Sequence, residues 1–376
     1  MAPIEKLVID GYRGIDHFEY EPNMINILVG RNNTGKSSIL EAAAITYTAP
    51  TGFQDRLGNN ILEKIIERKG WENLEYFINL NKKDKELKLT AVKDETELSV
   101  SANYKERNKG EVTEPAVISL VTKYYIHLYS SSGYMQLIEN VLRSTKRPSK
   151  SMEEVIKENV SKAIRGPMLF GQITPSNNYF VALPNDKKIL IRVSITSDLI
   201  FYGHQLEEKL DIKNLHDILL PTARIHQSLS YLRRHMPYFN DLRSDGQKIW
   251  IYFENLQQPL PLSMIGDGMR ETIRLLFIAS LIQGGVLLIE EPENNLHPGL
   301  YEVVAERLVE VARQDRTQVF LSTHNLEFAE KLLRSGEELV NVVRLYRVKD
   351  ELAYEVLSHG EALEELDELR IDLRGP

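Results

Sequence analysis

Residues 30–38, GRNNTGKSS, match the spacing G-x-x-x-x-G-K-[ST], which is typical of a loop that binds nucleotide phosphates. In such a loop, backbone N–H groups at the start of a helix surround phosphate oxygens without obstruction by side chains. Lys36 would reach the β and γ phosphates, and the Ser37 hydroxyl would ligate Mg²⁺. The candidate nucleotide-binding residues of this loop are Gly30, Asn32, Asn33, Thr34, Gly35, Lys36, Ser37 and Ser38.

Two adjacent carboxylates follow an apolar run in residues 285–299, GVLLIEEPENNLHPG. Alone, such a pair would mark only a strand that meets solvent. Beside a phosphate-binding loop, it offers one acid that faces a metal and a second that reaches toward the γ phosphate, because successive strand residues point to opposite sides. We therefore assign Glu290, together with Ser37, to Mg²⁺ and Glu291 to the attacking water.

A histidine follows another apolar run in residues 319–325, VFLSTHN. Ligands of parallel α/β sheets bind at the carboxyl ends of the strands, so His324 could contact the γ phosphate or the lytic water. An isolated histidine is more often a cap or a core residue, and we expect that simpler role for His297. The candidate catalytic residues are Glu291, His324 and Lys36.

The elements that must position these residues lie at the two ends of the chain. A strand ending at Gly30 precedes a helix over 36–48, and from residue 262 onward helices and strands alternate. Alternation of this kind predicts a parallel sheet. The predicted helices and strands of the second block are helix 269–283, strand 286–290, helix 299–314, strand 318–323, helix 326–335, hairpin 340–358 and an acidic helix over 360–369.

The middle of the chain is more polar and contains strand candidates at 75–80, 85–92 and 117–129, a hairpin at 178–195, and helical stretches at 151–165 and 205–238. We expect residues 1–50 and 262–376 to form one nucleotide-binding domain and residues 51–261 to form an inserted, β-rich and helical lobe. The predicted fold class is α/β, with a mixed sheet flanked by helices.

Composition restricts the classes of protein that the chain can represent. The sequence has 376 residues, a net charge of −8 and no cysteine, which excludes disulfides, thiol nucleophiles and cysteine-ligated metals. The acidic balance argues against a generally basic nucleic-acid binder, although the cluster RSTKRPSK at 143–150 could meet phosphates. A solvated loop is the favoured interpretation of that cluster. With no apolar stretch of about 20 residues and no signal peptide, we expect no membrane association and a cytoplasmic location.

These motifs resemble those of the ABC-type ATPases, in the soluble branch that includes RecF-like, SMC-like and OLD-family proteins. Residues 30–38 correspond to Walker A, VLLIEEPENNLHP to Walker B with the D-loop, and LSTHN to the switch histidine. About 255 residues separate Walker A from Walker B, and about 33 separate Walker B from the histidine. The form E-E-P-E-N-x-L-H-P is most similar to the OLD-type group. The resemblance implies a P-loop fold, ATP and Mg²⁺ as ligands, and ATP hydrolysis.

The resemblance also implies a homodimer, in which the signature motif of one subunit closes on the nucleotide of the other. The segment SMIGDGMRETIRLLF, residues 263–277, lies where this family carries its signature. Gly266 stands in place of the usual serine, so the backbone N–H groups of Gly266, Asp267 and Gly268 would contact the γ phosphate. Ser263 is a second candidate for that contact. Residues 294–296 of the D-loop would line the interface.

Besides Gly266, two further features depart from the family pattern. Glu290 replaces the usual metal-associated aspartate, which keeps the charge but lengthens the side chain. No glutamine stands at a recognisable Q-loop position, and Gln136 and Gln172 are the candidates.

The expected function is an ATP-hydrolysing head that works as a dimerisation switch in DNA maintenance or anti-phage defence. About 50 residues follow His324, too few for the Toprim nuclease of many OLD relatives, so the expected partner is DNA or a separate nuclease. A nucleotide-gated scaffold with little turnover is the alternative. A transporter ATPase subunit is a third interpretation, which the altered signature and the large insertion disfavour.

Overall fold

The computed structural model describes residues 3–49, 53–70, 77–79, 86–93, 96–105, 117–124, 169–172, 178–182, 188–192, 197–203, 210–236, 238–349, 351–367 and 373. For residues 96, 102–105 and the four strands between 117 and 192, only the backbone is described. The chain divides into two compact units. The first unit comprises residues 1–3, 22–40 and 198–376, and the second comprises residues 4–21 and 41–197.

The strands of the described residues, numbered along the chain, are β1 (Lys6–Tyr12), β2 (Ile15–Tyr20), β3 (Ile25–Gly30), β4 (Glu86–Lys93), β5 (Thr96–Lys105), β6 (Val117–Tyr124), β7 (Leu169–Gln172), β8 (Asn178–Ala182), β9 (Lys188–Arg192), β10 (Leu199–Tyr202), β11 (Phe239–Ser244), β12 (Ile249–Phe253), β13 (Leu260–Pro261), β14 (Val286–Glu290), β15 (Gln318–Ser322), β16 (Val340–Val348) and β17 (Glu351–Ser358). The helices are α1 (Lys36–Thr48), α2 (Ile61–Lys69), α3 (Ile212–Leu219), α4 (Arg224–His235), α5 (Asp267–Ser280), α6 (Tyr301–Arg313), α7 (Leu326–Gly336) and α8 (His359–Asp367).

The first unit is built on a six-stranded sheet in the order β10-β14-β15-β3-β16-β17. Neighbouring strands run parallel from β10 to β16, and β17 closes the edge as the antiparallel arm of a hairpin with β16. Every residue of β3, β14 and β15 is buried, as expected where helices cover both faces of a parallel sheet. The carboxyl ends of these three strands therefore meet at one edge of the sheet.

Helices of the first unit pack against one another around α5, which contacts α3, α4 and α6, while α6 pairs with α7. Residues 198–261 belong to this unit, although the sequence placed them in the inserted lobe. The physical reasons are the apolar strand β10, LIFY, which pairs in parallel with β14, and the apolar faces of α3 and α4, which contact α5. The predicted boundary at residue 261 thus differs from the boundary between the units.

The second unit contains a six-stranded antiparallel sheet in the order β2-β1-β4-β5-β6-β7. Residues 4–21 belong to it because β1 pairs with β4, whereas the sequence placed them with the phosphate-binding loop. The predicted hairpin at 178–195 is confirmed by the pairing of β8 with β9. The predicted helix at 151–165 and Gln136 lie outside the described residues, as does the side chain of Gln172.

A buried charge cluster lies within the second unit. Glu41 is fully buried, and its Oε2 accepts hydrogen bonds from Tyr12 Oη at 3.1 Å and Arg13 Nη1 at 2.7 Å. Lys69 Nζ lies 3.4 Å from Oε1 of the same carboxylate. Removing the carboxylate would leave two cations facing each other, so Glu41 is central to this cluster.

None of the helices in the described part of the chain is long and apolar enough to cross a membrane.

Candidate nucleotide-binding site

The phosphate-binding loop connects β3 to α1 through backbone conformations that side chains disfavour. Gly30 has a φ of +148° and Gly35 a φ of +100°. A Cβ added at Gly30 would overlap the carbonyl oxygen of Leu345 on β16 and lie 2.9 Å from Thr34 Oγ1. The loop is therefore held close to the sheet, and both glycines that the motif requires have a physical reason for their identity.

Lys36, the first residue of α1, is buried and points its ammonium group back into the loop. Its Nζ donates hydrogen bonds to the carbonyl oxygens of Gly30 and Arg31, both at 2.8 Å. Burial lowers the pKa of Lys36 to about 8, while the nearby charges of Glu291 and Glu293 act in the opposite direction. The cation thus lies within electrostatic reach of the carboxylates that follow β14.

The other residues of the phosphate-binding loop differ in their exposure to solvent. Asn32 and Asn33 are exposed, and the Asn33 carbonyl oxygen accepts a hydrogen bond from Arg347 Nε at 3.1 Å. Thr34 is buried and donates from Oγ1 to the Arg31 carbonyl oxygen at 2.9 Å. Ser37 is half-buried and Ser38 is buried.

The two adjacent glutamates have different environments. Glu290 is the last residue of β14, is 7% exposed and lies in register with Ser322 of β15. Glu291 has a left-handed φ of 48°, and its half-exposed carboxylate lies between two partners. His324 Nε2 is 3.1 Å from Oε1, and Asn294 Nδ2 donates to Oε2 at 2.7 Å. The structure therefore brings Glu291 and His324 together, as their positions after neighbouring strands suggested.

Gly203, at the end of β10, lies directly against Glu290, and sequence reasoning missed it. A Cβ at Gly203 would be 2.6 Å from Glu290 Oε2. The preceding Tyr202 donates its hydroxyl to the buried Glu271 of α5, which Arg274 Nη1 also contacts at 2.7 Å. The apolar run LIFY followed by glycine could have indicated a buried strand here, but the polar residues on both sides of it obscured that pattern.

Glu293 was also missed. It is 8% exposed, and its Oε1 accepts hydrogen bonds from Thr323 Oγ1 at 2.6 Å, His324 N at 3.0 Å and Asn325 N at 3.2 Å. Burial raises the pKa of Glu293. The sequence displayed this glutamate within EEPEN, but nothing in that pattern indicated that it would contact the histidine loop.

The signature segment lies at the start of α5, next to the D-loop of the same chain. Gly266 is the N-cap residue without a side-chain cap, and Gly266 and Asp267 are exposed. A Cβ at Gly268 would lie 3.1 Å from the Asn295 carbonyl oxygen, so this residue packs closely on the D-loop. Asp267 forms an ion pair with Arg270. Exposed backbone N–H groups at a helix N-terminus suit an anion.

Ser263, the second signature candidate, is exposed in a 3-10 turn at Leu262–Met264. The expectation that His297 is a cap is confirmed, because its Nδ1 accepts a hydrogen bond from Gly299 N at 3.1 Å.

The residues present suit ATP and Mg²⁺. Gly30 and Gly35 adopt backbone angles that side chains disfavour, as the loop of a phosphate cradle requires, and Lys36 supplies a buried cation. Among the described residues, no group of three or more histidines and acids could hold a metal by itself. Mg²⁺ in nucleotide sites uses one or two protein oxygens, with phosphates and waters completing the shell, so the Ser37 hydroxyl and the Glu290 carboxylate would suffice as its protein ligands.

Most of the chain matches the model of a known protein family. The family model described as "AAA domain, putative AbiEii toxin, Type IV TA system" matches residues 25–330. The chain belongs to this AAA domain family. Over 368 residues, this AAA domain protein is 21% identical to an ATP/GTP phosphatase of Helicobacter pylori, covering 90% of this chain and 91% of the relative. This chain is also 30% identical over 116 residues to an uncharacterized protein of Methanocaldococcus jannaschii, and the match covers 30% of this chain and all of that protein.

Solved structures show the same fold. An Smc head bound to the C-winged helix domain of ScpA aligns with 96% of the AAA domain protein and 99% of its own chain, at 12% identity and a TM-score of 0.54. An Smc head with an extended coiled coil, bound to a ScpA domain from Pyrococcus furiosus, aligns at 11% identity and a TM-score of 0.50. The alignment covers 99% of this chain and 100% of the Smc head chain. The predicted α/β fold class is confirmed by these structures, and the predicted AAA-type domain is confirmed by the family model.

Proposed function

We propose that this protein binds ATP with Mg²⁺ and hydrolyses the bond between the β and γ phosphates. The observation that carries the proposal is the Glu291 carboxylate, held between His324 and Asn294 at the sheet edge that follows β14 and β15. The phosphate-binding loop begins at the end of β3, which pairs with β15, so it starts from the same edge. The name of the Helicobacter pylori relative, an ATP/GTP phosphatase, supports this chemistry.

Each residue has a separate task in the proposed reaction. Loop N–H groups and Lys36 bind the phosphates, and the Ser37 hydroxyl and Glu290 carboxylate provide protein oxygens for Mg²⁺. Mg²⁺ supplies charge that favours reaction at the γ phosphate. Glu291 orients the attacking water, and His324 holds the Glu291 carboxylate in place. Catalysis would therefore depend on positioning and electrostatics.

The proposal includes a homodimer that closes around ATP. The exposed N-terminus of α5 offers the backbone N–H groups of Gly266, Asp267 and Gly268 to a γ phosphate held by a second copy. Closure on ATP and release after hydrolysis would make the protein a switch. The proposed setting is anti-phage defence or DNA maintenance in the cytoplasm, with DNA or a separate nuclease as partner, as the resemblance of the motifs implies.

Phosphate release and light scattering together test this proposal. Wild-type protein should release phosphate from ATP only with Mg²⁺ and should double in mass when ATP is bound. Lys36→Ala should lose both properties, because phosphate binding is lost. ATP binding without phosphate release, even in a single-turnover reaction, would instead favour a nucleotide-gated scaffold. A wild-type protein that does not bind ATP would contradict the proposal entirely.

A further inference from the structure

Glu293 is a buried carboxylate that makes its hydrogen bonds to a single short segment. Its Oε1 accepts from Thr323 Oγ1, His324 N and Asn325 N, at 2.6, 3.0 and 3.2 Å. These three consecutive residues form the loop that leaves β15 and carries the His324 ring. This single oxygen atom therefore binds the backbone N–H group of His324 and one group on each of the two neighbouring residues.

The second carboxylate oxygen of Glu293 shows that burial is costly here. Oε2 is buried without a hydrogen-bond partner among the described residues. Burying a carboxylate costs free energy, and the three hydrogen bonds to Oε1 offset part of that cost. An apolar side chain of similar length would avoid that cost but could accept no hydrogen bond from the loop.

The position of Glu293 in the chain joins the two halves of the candidate site. Glu293 lies two residues after Glu291, in the turn that follows β14. Two backbone hydrogen bonds close the turn: Asn294 N donates to the Glu291 carbonyl oxygen at 3.0 Å, and Leu296 N donates to the Glu293 carbonyl oxygen at 3.0 Å. Through its side chain, Glu293 connects this turn to the His324 loop. The contact between His324 Nε2 and Glu291 Oε1, 3.1 Å, spans the same two segments.

We propose that Glu293 is a positioning residue for ATP hydrolysis, which holds the backbone of His324 so that the imidazole meets the Glu291 carboxylate. The inference rests on the proposed function, in which Glu291 and His324 serve hydrolysis. Glu293 itself contacts neither water nor nucleotide in this account. Its effect on the reaction passes through His324.

Two substitutions of Glu293 distinguish a role in positioning His324 from a role in packing alone. Glu293→Gln keeps an acceptor oxygen at the Oε1 position, so the three hydrogen bonds survive, whereas Glu293→Met keeps the length and removes the acceptor. We expect Glu293→Gln to retain kcat within about threefold and Glu293→Met to lower kcat by roughly tenfold to a hundredfold, the cost typical of a displaced catalytic group. The KM for ATP should change by less than about threefold and by the same factor in both variants, because both leave the residues of the phosphate-binding loop unchanged and both remove the Glu293 charge near Lys36.

A double-mutant cycle with His324→Ala tests whether the effect passes through His324. In the His324→Ala background, Glu293→Met should lower kcat by less than about twofold, because the group that it positions is already absent. Active-site concentration, measured by the stoichiometry of ATP binding, corrects for any loss of folded protein. An equal loss in both backgrounds, or a Glu293→Gln variant as slow as Glu293→Met, would overturn the inference and leave the proposed function intact.

Amide hydrogen exchange gives a readout that is independent of turnover. The N–H groups of His324 and Asn325 should exchange faster in Glu293→Met than in wild type, and at the wild-type rate in Glu293→Gln. Unchanged exchange in Glu293→Met would overturn the inference. A His324→Ala variant with wild-type kcat would overturn the role of His324 in the proposed function, and this inference with it.

Discussion

The ammonium group of Lys36 should make ATP binding depend on pH in the weakly alkaline range. Burial in the phosphate-binding loop lowers its pKa to about 8 in the free protein. At that pKa, about nine tenths of the molecules carry the charge at pH 7 and about one tenth at pH 9. Bound phosphates favour the charged form and raise the pKa, so ATP binds the protonated protein. The dissociation constant for MgATP should therefore be about tenfold higher at pH 9 than at pH 7.

Isothermal titration calorimetry at pH 7, 8 and 9 measures this dependence. Titrations at pH 9 in two buffers with different ionisation enthalpies should show uptake of about one proton for each ATP bound. Lys36→Arg is the matched control, because a guanidinium stays charged throughout and also reports any contribution from the titration of ATP itself. Equal dissociation constants at pH 7 and pH 9, or the same pH dependence in the Arg variant, would refute the reasoning.

The remaining predictions concern one close contact and one buried charge. Gly203→Ala should displace the Glu290 carboxylate, at a cost of about 1 kcal/mol or more, and raise the Mg²⁺ concentration for half-maximal ATPase activity about fivefold. Gly360→Ala, where an added Cβ meets open space, should leave that concentration unchanged; equal behaviour of the two variants would contradict the close contact. Glu41→Ala should lower the free energy of unfolding in urea by about 3 kcal/mol, because Arg13 loses its buried partner. A loss below about 1 kcal/mol would show that the cluster contributes little.

The nucleotide-binding elements were predictable because local signals and tertiary packing agree there. The predicted helix at 36–48 and strand at 286–290 coincide with α1 and β14, since glycines, apolar runs and helix formers all indicate the same elements. The hairpin at 340–358 followed from two β-rich runs around Lys349, and the structure pairs β16 with β17 there.

The boundaries between the two units and the contacts of Gly203 and Glu293 could be found only in the structure, because they depend on contacts between residues that are distant in sequence. Strand β10 is four residues long, and only its alignment beside β14 shows that it belongs to the nucleotide-binding sheet. Gly203 faces Glu290 across that pairing, about 87 residues away in sequence. Glu293 contacts a loop about 30 residues downstream through its side chain, and no local pattern encodes such a contact.

Single-turnover ATP hydrolysis by the Glu291→Gln variant tests the central claim most directly. The amide keeps the size of the side chain but cannot act as the carboxylate does toward water, so the rate should fall by about a hundredfold or more. The dissociation constant for MgATP should stay within about threefold of the wild-type value, because Lys36 and the phosphate-binding loop are unchanged. A Glu291→Gln variant that hydrolyses ATP at the wild-type rate would contradict the assignment of Glu291 and the catalytic site built around it.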